Sequence, residues 1–214
     1  PKDIILLSVR WYLRYGLSYR DLEEMLEERG AWPDHTTIFR WVIRFTPFLI
    51  SAFQKKKKKV GDRWRMDETY IKVNGKDRYL YRAVDKEGQT IDFLLTAYRD
   101  RNAARRFLEK AIKSSEEPSL INIDQSGANT AGIGDYNDNN FACIEIRQCK
   151  YLNNIVEQDH RNIKRRIRGM LGFKSFWKAR IVLGGVELVN MIKKGQMKGT
   201  STLSDADKFY SLAA

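Results

Sequence analysis

Apolar residues recur at helical spacing through DIILLSVRWYLRYG, which predicts a helix stopped at Gly16. SYRDLEEMLEERG predicts a second, with Ser18 as N-cap, Asp21 three residues on and Gly30 as the stop. DHTTIFRWVIRF opens a third with Asp34 as its cap. Three short helices with a tight break before the last outline a helix-turn-helix. The third would turn Ile38, Trp41 and Val42 inward and offer His35, Thr36, Thr37, Arg40 and Arg44 to a DNA groove. A three-helix bundle with no DNA role has the same pattern.

From residue 64 the period falls to two. In WRMDETYIKV, Arg65, Asp67 and Thr69 share one face, and Trp64, Met66, Glu68 and Tyr70 the other. Asn74-Gly75 signals a hairpin turn into a second strand, DRYLYRAVD. Lys86-Glu87-Gly88 turns the chain into a third, TIDFLLTA. DRNAARRFLEKAIKSS reads as an amphipathic helix ended before Pro118, and SLINID as a short buried strand closing on Asp124. The Gly- and Asn-rich stretch 126–140 has no periodicity to assign. ACIEIR predicts a fifth strand, and a basic helix follows from about Leu152. This order describes an α/β fold: a ribonuclease-H-like mixed sheet flanked by helices, behind a small all-α domain. The expected divisions are 1–50 helix-turn-helix, 51–63 basic linker around five consecutive lysines, 64–195 ribonuclease-H-like domain and 196–214 tail.

Charge adds a partner to this picture. Lys and Arg number 39 against 27 Asp and Glu, a net charge of +12 over 214 residues, which suits a polyanion. Two cysteines and two histidines are too few for a zinc finger and fit a reduced cytosolic setting. No stretch reaches the roughly 18 apolar residues of a membrane span. The chain begins with Pro1, so residues are expected before it.

Against that basic background, an aspartate in mid-strand needs a reason, since Asp is disfavoured there and costly to bury unpaired. In the expected sheet the first and fourth strands are neighbours, which brings Asp67 and Asp124 together. In YLNNIVEQDHRNIKRRIR the residues Leu152, Ile155, Val156, Ile163 and Ile167 form a buried stripe. Asn153, Glu157, His160, Arg161 and Lys164 occupy the adjoining face, from which Glu157 could join the two aspartates. Converging carboxylates repel unless hard divalent cations sit between them. Two Mg²⁺ ions, or Mn²⁺ as substitute, roughly 3.5–4 Å apart would suit phosphoryl transfer. Asp67 would bridge both, Asp124 hold one and Glu157 the other. Residues 160–180 carry eight Lys/Arg and no acid, so His160, Arg161, Lys164 and Arg165 are expected along the DNA backbone. Phe173, Phe176 and Trp177 are core or base-stacking candidates, with the core expected because an apolar helix continues through Ile181, Val182, Leu183 and Val186.

The blocks VRWYLRYGLSYRDLEEMLEERG, DHTTIFRWV, WRMDETYIKVNGK, IDQSGAN, KYLNNIVEQDHRNIKRR and MLGFKSF resemble the transposases of insertion-sequence family six. The resemblance runs from about residue 3 to 195. It implies a helix-turn-helix followed by a ribonuclease-H-like DDE domain, with Asp67, Asp124 and Glu157 as the catalytic triad and Mg²⁺ as cofactor. It also implies that Lys164 acts near the terminal DNA of the element. The substrate would be double-stranded DNA, both terminal inverted repeats and target, and the product a cointegrate. Two DNA ends must be synapsed, so a homodimer or larger assembly is expected, in the bacterial cytoplasm at the nucleoid. The residues alone leave three other readings: a DNA-binding regulator using only 1–50, a nuclease without strand transfer, and a decayed, inactive copy.

Overall fold

The computed structural model describes residues 1–170 and 172–213, the side chain of Lys150 excepted. It divides into two compact units, one formed by Pro1–Lys58 with Ile163–Ala214 and the other by Lys59–Asn162.

The first unit is helical. Helix α1 spans Lys2–Arg14, α2 Tyr19–Glu27 and α3 His35–Lys56. Ser18 caps α2 in a reciprocal box with Asp21, and Asp34 caps α3 by accepting from the Thr36 and Thr37 amides. Where the lysine-rich linker was expected, α3 runs on to Lys56. Its buried stripe of Ile38, Val42, Leu49 and Phe53 extends past residue 51, and packing holds the helix that far. The later helix α7, Phe176–Lys193, packs on α1 and α3 within the same compact unit. Gly185 permits this approach, because a Cβ there would lie 2.6 Å from a Leu13 methyl and 2.8 Å from Thr46. The expected tail carries α8, Asp205–Tyr210, whose Phe209 is buried. Phe176 and Trp177, expected in the core, are exposed at the start of α7.

The second unit is built on one mixed sheet in the order β3-β2-β1-β4-β5. Its strands are β1 Arg63–Val73, β2 Lys76–Asp85, β3 Thr90–Thr96, β4 Leu120–Ile123 and β5 Glu145–Gln148. β1–β2 and β2–β3 are antiparallel, whereas β4 lies parallel to both β1 and β5. Asn74 and Gly75 both have positive φ, at 50° and 73°, as the predicted two-residue hairpin requires. β5 starts three residues later than ACIEIR suggested.

One sheet face carries the core: Trp64, Met66, Tyr81, Ala83, Ile121 and Ile123 pack against Phe107 of α4 (Arg101–Ser114) and Ile133 of α5 (Gly127–Asn140). α5 is the stretch the sequence pattern left unassigned. Its composition is polar, and its buried face consists of Asn129, Gly132, Ile133 and Tyr136, with a glycine-lined approach to α4. A Cβ on Gly132 would lie 2.7 Å from the Ala104 methyl. On the opposite face a 3₁₀ turn, Lys150–Asn153, leads into α6, Asn154–Ile167.

Candidate active site

β1 and β4 set the first two carboxylates. Their parallel register pairs Arg65 with Asn122. Carried two residues on, the same row puts Asp67 beside Asp124, on the face opposite the apolar core. Asp124 follows the last residue of β4, at the carboxyl end of a parallel strand, where open α/β sheets place their ligands. Buried polar contacts fix α6 and its lead-in turn on this face. Asn122 donates to the Cys149 carbonyl at 2.9 Å and to Asn153 Oδ1 at 2.7 Å, while Asn153 donates back to the Met66 carbonyl at 3.4 Å. These bonds orient the first turn of α6, from which Glu157 projects.

Asp67, Asp124 and Glu157 therefore line one open cleft of about 360 Å³, together with Gln125, Gln148 and Asn153. Asp124 Oδ1 is buried and has no hydrogen-bond partner among the described residues. Burial, and then the charge of Asp67, hold the Asp124 carboxyl above the usual carboxylate range. Among the described residues no three His, Cys, Asp or Glu side chains stand close enough to clasp a metal ion as they are. Asp67 and Asp124 form a mutually repelling pair, and Glu157, 3.9 Å from Arg161, lines the same cleft. A buried carboxylate oxygen without a donor among the described residues, and the repulsion between Asp67 and Asp124 in a cleft lined by carboxylates and carboxamides, fit a hard divalent cation.

A fourth carboxylate braces the site from the core side. The Glu68 side chain is 4 % exposed and pairs with Arg99, and it accepts from Asn129 at 2.8 Å. Arg99 reaches Ser126 at 3.3 Å, which ties down the loop carrying Asp124. Burial raises the Glu68 pKa; Asn129 and Arg99 oppose that rise, and Asp67 and Asp124 add to it. The alternation of β1 put Glu68 on the core face, but nothing in the sequence pointed to Arg99 as its partner.

His160 was expected among the DNA-contacting residues, and the structure corrects this. Its side chain is 6 % exposed and its Nε2 lies 3.4 Å from Asp67 Oδ2. Burial lowers its pKa, the Asp67 contact opposes that, and Arg82 lowers it further. The preceding Asp159 accepts from Arg82 at 3.0 Å, with both side chains shut off from solvent. A histidine so enclosed cannot reach a phosphate backbone. Arg161 and Arg165 are exposed, and Lys164 is half-buried. In the helical unit, Thr36, Arg40 and Arg44 are exposed one turn apart on α3. Thr37 is half-buried with its hydroxyl donating to Asp34 at 2.7 Å, and His35 is held by Glu23 at 2.9 Å.

Residues 61–196 match the family model of the DDE domain. The chain belongs to the insertion-sequence family six DDE transposases. It is 41% identical over 199 residues to the transposase for insertion sequence-like element IS431mec of Staphylococcus aureus strain Mu50, covering 90% of this chain and 85% of that one. The identity and coverage are the same with the transposase for IS257 in transposon Tn4003 of Staphylococcus aureus. Among solved structures, the simian T-cell lymphotropic virus intasome in complex with PP2A regulatory subunit B56 gamma superposes with a TM-score of 0.52 at 14% identity, over 85% of this chain and 72% of that one. The HTLV-2 integrase catalytic core domain in complex with magnesium overlaps less, with a TM-score of 0.44 at 17% identity over 54% of this chain and 75% of that core. The sheet is thus of the ribonuclease-H-like kind found in integrase cores. As a DDE transposase the protein is an enzyme acting on DNA, of the class that cleaves DNA and transfers strands. No helix among the described residues is long and apolar enough to cross a membrane.

Proposed function

We propose that this transposase cuts the 3′ ends of its own insertion element and joins them to target DNA, using Asp67, Asp124 and Glu157 as the catalytic and metal-binding carboxylates. The observation carrying this reading is the shared cleft, lined by three acids from β1, the β4–α5 loop and α6, in which one buried carboxylate oxygen has no donor among the described residues. Two Mg²⁺ ions, with Mn²⁺ as substitute, would when bound there activate the attacking oxygen and stabilise the leaving one. The protein's share is to hold the acids rigidly: Asp67 on a central strand, Asp124 on a loop fastened through Ser126 and Arg99, and Glu157 on a helix anchored by Asn153.

The basic residues serve the DNA. Thr36, Thr37, Arg40 and Arg44 of α3 would read the terminal inverted repeats from a helix-turn-helix formed by residues 1–50. Arg161, Lys164 and Arg165 on α6 would hold the backbone of the element end, with Phe176 and Trp177 as exposed stacking surfaces. Because two ends must be brought together, the working form is a homodimer or larger synaptic complex, acting in the bacterial cytoplasm at the nucleoid.

A strand-transfer assay tests this reading. Labelled DNA carrying the repeats that flank the gene is incubated with target plasmid, Mg²⁺ and either wild-type or Glu157→Gln protein. Joined product from wild type alone is expected. Equal product from both would remove Glu157 from the site.

A further inference from the structure

The imidazole of His160 lies almost wholly out of solvent, and neither ring nitrogen makes a full hydrogen bond with the described residues. An unsatisfied buried polar ring is costly to keep unless it is used. The acceptor it contacts is Asp67 Oδ2 at 3.4 Å, a separation longer than a formed bond but one that a small side-chain adjustment closes. The ring is held there from two sides. Its neighbour Asp159 is pinned by Arg82 on β2, and Arg82 is the cross-strand partner of Asp67 on β1. Strand, strand and helix thus form a closed circuit through Asp67, Arg82, Asp159 and His160.

We propose that His160 is a positioning residue for Asp67: its Nε2–H holds Oδ2 and so fixes which carboxylate oxygen is presented to the metal-binding cleft. The proposal rests on Asp67 being a metal ligand. A carboxylate on a strand keeps rotational freedom about its terminal bond, and a donor on one oxygen removes that freedom before a cation arrives. The carboxylate also selects the Nε2–H tautomer, since Nδ1 meets no acceptor among the described residues.

The test is Mn²⁺ titration of the whole protein by calorimetry, with thermal midpoints and repeat-DNA binding measured on the same samples. His160→Leu fills the space without a donor and should weaken Mn²⁺ binding by about 10- to 100-fold, while repeat-DNA binding stays as in wild type. His160→Gln carries an amide nitrogen at the reach of Nε2 and should restore most of that affinity. His160→Asn, one bond shorter, should not. The Asn and Gln variants make the same comparison if the leucine variant fails to fold. A purely structural role predicts that affinity follows the thermal midpoint and that Gln offers no rescue, which would overturn the proposal. Asp67→Asn separates the two levels of inference. If it retains wild-type Mn²⁺ affinity, the metal assignment of the cleft fails and this proposal with it. If it loses binding while His160→Leu binds as wild type, only the role of His160 fails.

Discussion

Arg82 Nη1 donates to Asp159 Oδ2 at 3.0 Å, and this pair, 0 % and 8 % exposed in its side chains, fastens α6 to the middle of the sheet. An ion pair so enclosed does little for net stability when intact, yet removing one partner leaves a buried charge uncompensated. Asp159→Ala should therefore lower unfolding free energy by about 3–5 kcal/mol, measured by urea denaturation. Replacing both residues by apolar side chains of similar volume should recover most of that loss.

The carboxylates are expected to separate chemistry from binding. Asp67→Asn and Glu157→Gln should each lower strand transfer by about a thousandfold or more, the equivalent of several kcal/mol of lost charge stabilisation. Gel-shift affinity for repeat DNA should stay within the range of wild type. Parallel loss of DNA binding would mean that these acids support the fold and not the reaction.

Asp124 carries a cost in the metal-free protein. Its carboxyl is held above the usual range by burial and by Asp67, so its folded-state pKa exceeds its unfolded one. That interaction favours the fold below the unfolded pKa, near 4, and the advantage is lost as pH rises through the folded value. At neutral pH the charged form works against folding. Asp124→Asn should consequently raise the metal-free thermal midpoint at neutral pH, as read in thermal scans. Mg²⁺ should raise the midpoint of wild type and leave the variant unchanged.

The cap of α3 has the opposite sign. The Thr37 hydroxyl and amide hold the Asp34 carboxyl down at about 2. A depressed acid contributes above its unfolded pKa, near 4, and the contribution disappears as pH falls towards 2. Thermal scans of wild type and Asp34→Ala should differ at pH 6 and converge near pH 2. A gap that persists at pH 2 would show that the charge of the cap is not what matters.

Arg40 and Arg44, exposed one turn apart on α3, should act through phosphate or base contact. Changing either to alanine should weaken repeat binding and, where the contact is to phosphate, reduce the slope of log affinity against log salt by about 0.9. An unchanged affinity and slope in the double variant would take this face of α3 out of the interface.

Much of this protein is legible along the chain. The three N-terminal helices have their caps written locally as Ser18 with Asp21 and as Asp34. The β1–β2 hairpin has its turn in Asn74-Gly75, whose positive φ angles few other pairs accept. Asp67, Asp124 and Glu157 could be singled out because each sits where an acid lacks a structural reason. Elements and cleft-lining acids follow from nearest-neighbour chemistry, which is a property of sequence.

Tertiary structure alone decided the rest. α5 is a helix despite its polar, aperiodic composition because Gly132 lets it settle onto Ala104. α7 joins the N-terminal helices because Gly185 admits Leu13 and Thr46, a steric match between residues far apart in the chain. His160 looked like one more member of a basic helix face, and burial turned it away from DNA and onto Asp67. Charge and period state what a residue offers, whereas what it meets is set by long-range packing, and packing depends on all the elements at once.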